Sequence, residues 1–232
     1  MEKSTAIVLS AGSGKRMNSI TAKQYLLIKG KPVIYYSLKA FQECPFIDEI
    51  ILVTKEQDIN YCRTKITERY GFTKVKHIIS GGKERYHSVY NGLLAAGDCD
   101  FVYIHDGARP FVNQNILARS REGVLTYGAC VAGMPVKDTI KLSDESGFCA
   151  GTPRRSRVWQ IQTPQTFSYP LIKEAYEKLM RDISLGIDVE VTDDAQVFEY
   201  ASQGKVKLVE GAYSNIKITT PEDLKIAESL FG

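Results

Sequence analysis

The run Ala6-Ile7-Val8-Leu9 leads straight into Ser10-Ala11-Gly12-Ser13-Gly14-Lys15-Arg16-Met17, and this join constrains the fold more than any other stretch. The short apolar run predicts a strand. Gly12 and Gly14 permit a tight turn that brings backbone N–H groups close to an anion, and Lys15 and Arg16 add positive charge there. A strand opening into such a turn implies phosphate binding at the carboxyl end of a parallel sheet. The spacing argues against two common alternatives. A dinucleotide fingerprint wants a third glycine where Met17 stands, and a Walker loop wants four residues between glycines that are here separated by one.

The chain then alternates strand and helix patterns. Pro32 suits the first position of a helix carrying Ile34, Leu38 and Phe41 inward. Glu49 to Val53 reads as the second strand, and Ile59, Cys62, Ile66 and Tyr70 stripe a helix. Val75 to Ile79 form a third strand ending at Ser80-Gly81-Gly82, followed by a helix from Glu84 to about Ala96. Phe101 to Ile104 are a fourth strand, closed by His105-Asp106-Gly107-Ala108-Arg109-Pro110. This order predicts an α/β fold, a Rossmann-like, mostly parallel sheet flanked by helices.

After a helix near 114–126 and a strand near 129–134, a strand, a polar turn and a returning strand predict a β-arm over about 136–160. Such an arm cannot bury both faces alone, so a second subunit is its natural cover. Helices near 169–181 and 193–201 follow, with strands at 205–209 and 215–218. A last helix opens at Thr220-Pro221-Glu222-Asp223 with a cap, a first-turn proline and two acids.

A chain of 232 residues is long enough for a single domain, 1–232, with the arm as an excursion. A net charge of +3 gives no case for nucleic acid. No stretch approaches the ~18 apolar residues of a membrane span. Five scattered cysteines without CxxC spacing fit reduced thiols in a cytoplasmic protein and neither a disulfide framework nor a zinc site.

Three strand ends carry candidate site residues, and their convergence on one sheet edge raises each above a purely structural reading. Lys23 sits in a Lys-Gln-Tyr-Leu run. Arg85 and Ser88 fall three apart on one face of the helix after Gly82, so both can point at a ligand above the sheet. Asp106, just past the fourth strand, suits a magnesium or ribose ligand; equally, it suits a turn cap paired with Arg109. His105 reads as a structural strand-end residue. Lys217, inside a short apolar strand, wants an anionic partner that a phosphate would supply.

Taken together, S-A-G-S-G-K-R-M (10–17), K-Q-Y-L (23–26), G-G-K-E-R-Y-H-S-V (81–89) and H-D-G-A-R-P (105–110) closely resemble the 2-C-methyl-D-erythritol 4-phosphate cytidylyltransferase family. P-V-K-D-T-I-K (135–141), Q-T-P-Q-T-F (162–167), T-D-D-A (192–195) and N-I-K-I-T-T-P-E-D-L (215–224) extend the resemblance over nearly the whole chain. It implies the nucleotidyltransferase fold, with the arm serving dimerisation, and a magnesium-dependent transfer of CMP from CTP to a polyol phosphate. Ser10, Ala11, Gly12, Gly14, Gly82, Arg85, Ser88 and Asp106 match nucleotide-binding positions, with Asp106 also the metal position. Arg16, Lys23 and Lys217 match catalytic cations on the phosphates. Thr139, Arg155 and Arg109 match acceptor-binding positions, the first two reaching across from a partner's arm. Ser10 departs from a common alanine, Ala22 from a proline, Arg154 from an acid found in some members and Ser214 from an Asp. The nearest rival acceptor is ribitol 5-phosphate. A nucleotide-binding oxidoreductase would want a glycine at position 17, and a non-catalytic sensor gives no reason for Lys23 and Lys217 beside the loop.

Overall fold

The computed structural model describes residues 2–12, 22–202 and 204–231. Seven strands form the main sheet: β1 (Ser4–Leu9), β2 (Glu49–Thr54), β3 (Val75–Ser80), β4 (Phe101–Asp106), β5 (Ala129–Pro135), β6 (Trp159–Ser168) and β7 (Lys207–Glu210). Their spatial order is β7-β5-β6-β4-β1-β2-β3. Every pairing is parallel except those of β6, which runs antiparallel to both neighbours. The chain builds outward from β1 through β2 to β3, then returns to place β4 on the other side of β1. That reversal opens a crevice at the carboxyl ends of β1 and β4, the place where open α/β sheets bind ligands.

Period-two alternation explains why the central strands read as unbroken apolar runs. Ile7, Ile51, Val53, Val102 and Ile104 pack on one face with α2 (Arg85–Ala95), α4 (Tyr169–Ser184) and α5 (Asp194–Ser202). Ala6, Val8, Ile50, Leu52 and Tyr103 pack on the other with α1 (Val33–Gln42) and α3 (Gln114–Tyr127). Both faces are covered, so a polar residue at either position of the alternation is buried along with the apolar ones. The last helix, α6 (Pro221–Leu230), packs Ala227 against Ile28, Val33 and Ile218 in a third cluster. Its start is capped as the sequence predicts, with Thr220 and Asp223 bonding reciprocally to each other's backbone.

The structure corrects several expectations. Pro32 is the residue before α1 and pairs with Leu27 in a short ribbon, so the helix begins one residue later. The helical stretch after β2 is α-wound at Ile59–Tyr61 and π-wound at Cys62–Glu68, and of its expected stripe Cys62 and Ile66 are fully buried. The arm is a minimal hairpin pairing Leu142–Ser143 with Cys149–Gly151. Its expected returning strand is instead a short helical turn at Arg155–Arg157 leading into β6. Residues 215–218 form no strand; Ile218 N–H makes a bond of 2.8 Å to the Ala108 carbonyl, and Ile216 and Ile218 pack into the third cluster.

Candidate active site

The carboxyl ends of the parallel strands are level: Leu9 stands opposite Val53 on one side and Asp106 on the other, and Thr54 stands opposite Ser80. The turns that leave these strands therefore share one rim. A cavity of about 340 Å³ opens there, within the ordinary range for small ligands. Ser10, Ala11, Gly12, Lys23, Gln24, Gly82, Lys83, Glu84, Arg85, Ser88, Asp106 and Lys217 line it. Lys23, Lys83, Arg85 and Lys217 against Glu84 and Asp106 leave the lining positive, as an anionic ligand requires. Gly14 and Arg16 lie outside the described residues.

Local chemistry fixes each part. Ser10 N–H bonds the Val53 carbonyl at 2.7 Å, and Gln24 Nε2 donates to the Ser10 carbonyl at 2.6 Å, tying the Lys-Gln-Tyr-Leu turn to the end of β1. Tyr25, in the same turn, shares hydrogen bonds with Thr54 at 2.9 Å and Cys62 at 3.1 Å. Lys23 is carried on this double anchor. Among the described residues nothing stands within 4 Å of where a Cβ on Gly12 would be, so a ligand can approach its backbone there. Gly81 is different, because a Cβ there would stand 2.6 Å from Ala11 Cβ; the two turns touch.

Arg85 and Ser88 line the cavity, but their polar groups are engaged within the protein. Ser88 Oγ accepts the Gly82 N–H at 3.0 Å and donates to the Glu84 carbonyl at 3.3 Å, shaping the Gly-Gly turn. Glu84 and His87 cap α2 reciprocally, a role the sequence reading leaves unassigned for His87. Arg85 donates both terminal nitrogens to Asp194 at 2.7 Å and turns its Nε toward Asp106 at 3.6 Å.

Asp106 is the last residue of β4 rather than one past it. One of its carboxylate oxygens faces Arg85 and the other meets Lys217 Nζ at 2.7 Å. Burial opposes the Asp106 charge, but Arg85, Lys217 and Arg109 together hold its carboxyl well below the usual carboxylate range. Lys217 thus has the anionic partner that its sequence context predicts, and the partner is a carboxylate. His105 is structural, as expected: it is fully buried, bonds Thr163 at 3.0 Å and the Arg109 carbonyl at 3.2 Å, and is pushed by burial down to about 4.

A second cavity, of about 250 Å³, adjoins the first. Arg85, Asp106 and Lys217 line both, so they form the wall between them. Its other lining includes Arg109, Gln162, Thr163, Gln165, Thr192 and Asp193, of which the sequence reading singles out Arg109 alone as an acceptor contact. Arg109 donates to the Asn215 carbonyl at 2.9 Å. Asn215, two residues before Lys217, donates to the Thr163 carbonyl at 2.9 Å and to Gln162 Oε1 at 3.2 Å, which places Lys217. The regular pairing of β6 with β5 breaks between Ile161 and Gln165, freeing Gln162 and Thr163 for these bonds. Thr139 and Arg155 are exposed and line neither cavity; Arg155 Nη1 donates to the Lys137 carbonyl at 3.3 Å.

The family model described as 2-C-methyl-D-erythritol 4-phosphate cytidylyltransferase matches residues 4–232. The chain is 54% identical over 223 residues to the protein of that name from Lachnospira eligens, with 96% of each covered. It is 46% identical over 231 residues to that from Clostridium kluyveri, covering 100% of this chain and 97% of the relative. Among solved structures, 4-diphosphocytidyl-2C-methyl-D-erythritol synthase from Anaerococcus prevotii matches with a TM-score of 0.84 at 35% identity, over 99% of this chain and 96% of that one. The 2-C-methyl-D-erythritol 4-phosphate cytidylyltransferase of Francisella tularensis matches with a TM-score of 0.81 at 26% identity, over 98% and 99%.

Proposed function

The chain belongs to the 2-C-methyl-D-erythritol 4-phosphate cytidylyltransferase family, and on that premise we propose how its residues divide the work of the family's reaction. The enzyme transfers CMP from CTP to 2-C-methyl-D-erythritol 4-phosphate, giving 4-diphosphocytidyl-2-C-methyl-D-erythritol and pyrophosphate, a step in isoprenoid precursor synthesis. None of the relatives named above carries a pentitol-phosphate name, and the ribitol alternative has no support.

The observation that carries the assignment of roles is the shared wall. Asp106, Arg85 and Lys217 stand between two cavities, one opening on the glycine turns and the other on Arg109. CTP occupies the first cavity, with Ser10, Ala11, Gly12, Gly82 and Ser88 around the nucleoside. The acceptor phosphate occupies the second, near Arg109. Its phosphate oxygen attacks the α-phosphorus and pyrophosphate leaves. The nucleophile is already anionic near neutral pH, so no general base is needed; the barrier lies in bringing two anions together. Lys23 and Lys217 lower it by holding positive charge on the phosphates as negative charge redistributes. Gly14 and Arg16 complete the phosphate side in this reading.

The family's chemistry calls for a metal, and magnesium is the ion we assign. Among the described residues no group of three or more His, Cys, Asp or Glu can hold a metal. Among the described residues Glu84 and Asp106 are the carboxylates lining the first cavity; Glu84 caps α2, and a metal held by Asp106 would share its oxygens with Arg85 and Lys217. One carboxylate fits an ion carried mainly by triphosphate oxygens. When bound, magnesium would neutralise phosphate charge and orient the leaving pyrophosphate.

Thr139 and Arg155 lie away from both cavities of their own chain, which fits a homodimer in which each arm serves the partner's acceptor site. Leu142 and Phe148 on the hairpin, 56% and 73% exposed, supply apolar surface for that contact. The protein acts in the cytoplasm in this reading; among the described residues no helix is long and apolar enough to cross a membrane.

The test is pyrophosphate release from CTP and Mg²⁺ with either acceptor. Turnover of methylerythritol phosphate with little or none of ribitol phosphate is expected. Preference for ribitol phosphate, or no turnover of either, rejects the reading.

A further inference from the structure

Thr192-Asp193-Asp194-Ala195 and Gln165 have no part in the division of roles above, yet the fold brings them together behind Arg85. Arg85 opens α2 and extends its guanidinium between two carboxylates. Asp194 is fully buried at the start of α5 and takes both terminal nitrogens, each at 2.7 Å. Tyr176 of α4, also fully buried, donates to the same Asp194 Oδ1 at 2.6 Å. Gln165 Oε1 accepts the backbone N–H groups of Asp194 and Ala195 at 3.0 and 2.9 Å, and its Nε2 donates to Asp193 at 3.0 Å. Gln165 in turn stands in register with Ile104, two residues before Asp106.

Granting the cytidylyl-transfer site assigned above, we propose that Asp194 is a positioning residue: by clamping Arg85 it fixes the Asp106 carboxylate, and with it Lys217, in the wall between the two cavities. The geometry distinguishes this from direct nucleotide binding by Arg85. Each terminal nitrogen spends one N–H on Asp194, and the Nε faces Asp106 Oδ1 at 3.6 Å, so the guanidinium is oriented by the two carboxylates. Lys217 holds the other oxygen at 2.7 Å. Lys217 bonds one oxygen, and the Arg85 charge attracts the other across 3.6 Å, so where Arg85 stands biases how the carboxylate lies.

Charge points the same way. A guanidinium meant for the triphosphate is wasted against a buried counter-ion, because Asp194 cancels its charge at short range. A strut needs that counter-ion. Arg85 also bridges α2, α5 and β4, three elements that pack on the site from different directions. A bidentate pair restricts rotation as well as distance, so the frame given by Gln165 and Tyr176 fixes the Arg85 charge, which acts on Asp106 through an ion pair at 3.6 Å.

The test pairs Arg85→Met with Asp194→Leu in one chain. This double variant removes both charges and leaves no buried ion unpaired at that contact; it also takes the acceptor from the buried Tyr176 hydroxyl, so folding is verified by circular dichroism. CTP affinity is read by calorimetry and turnover by pyrophosphate release with methylerythritol phosphate. The clamp predicts kcat lower by about 10- to 100-fold with the CTP Kd within about threefold of wild type. A kcat within about threefold of wild type overturns it. A raised CTP Kd with kcat retained overturns it in favour of Arg85 as a nucleotide ligand. If the double variant does not fold, Tyr176→Phe carries the test, since it keeps the ion pair and removes one bond to Asp194. A several-fold loss of kcat at unchanged Kd supports the clamp, and an unchanged kcat overturns it. Wild type in the same assay separates the two readings. No pyrophosphate from wild type rejects the reaction, whereas equal turnover by wild type and double variant rejects the clamp alone.

Discussion

Lys217 is held 2.7 Å from Asp106 with its side chain 39% exposed, so a phosphate can reach it without the lysine leaving its anchor residues. Asn215 fixes the chain before it and Thr219 the chain after, through bonds to Thr163 and Asp223. Lys217→Ala removes one cation from the reacting phosphates and leaves Asp106 facing Arg85, so the fold survives. It is expected to lower kcat by about 10²- to 10³-fold, with a smaller loss of CTP affinity, as for removal of one preorganised charge donor. Steady-state kinetics beside calorimetric titration check this, and a kcat near wild type removes Lys217 from the catalytic group. A lysine inside an apolar segment wants an anion, and residue type alone says so. That the anion is Asp106, 111 positions away, follows from the bond between Ile218 and Ala108 that folds one segment onto the other. Gln24 shows the opposite case. As an amide beside a lysine it carries no sequence signal, yet it is 2% exposed and spends its donor on the carbonyl of Ser10.

The elements best read from sequence are those whose burial repeats with their own period. β1, β2 and β4 are apolar at successive positions because helices cover both sides of the sheet. β6 escapes a sequence pattern for the same reason in reverse. Gln162, Thr163, Gln165 and Thr166 are buried yet polar, and what satisfies the first three comes from Asn215, His105, Asp106 and α5, which no local pattern reveals. Residues 215–218 show the converse: their alternating apolar residues have a strand's pattern, but they pack against α1 and α6 without a ladder. The hairpin over Leu142–Gly151 is short. Two paired rungs give it little stability of its own. If each hairpin serves the other subunit, Lys217→Ala and Arg155→Ala chains mixed and reassociated should regain activity. One heterodimer site then carries both lesions and the other carries neither. Recovery toward about a quarter of wild-type kcat is expected for random pairing, read as pyrophosphate release against unmixed controls. No recovery in verified heterodimers removes the shared site.

At the scale of the whole molecule, two layers of helices seal the sheet, and the thiols report on that seal. Cys44, Cys62, Cys99 and Cys130 are buried and Cys149, on the hairpin, is exposed. Burial pushes the thiols of Cys99 and Cys130 up to about 11 and about 12, and raises those of Cys44 and Cys62. At pH 8 the native chain should therefore react with an aromatic disulfide at Cys149 and only slowly elsewhere, whereas all five cysteines react in guanidinium. Rapid loss of more than one thiol from native protein contradicts the packing described. The sequence by itself determined the alternating α/β order, the covered parallel strands, the turns that converge on one rim and the family, because each is written in local periodicity, turn chemistry or an ordered set of motifs. Tertiary structure alone decided that Asp106 and Lys217 pair, that Arg85 belongs to Asp194 and that β6 runs antiparallel through the middle. A buried polar group is satisfied by whichever partner the fold delivers. That partner is set by the packing of distant segments, and no spacing along the chain encodes it.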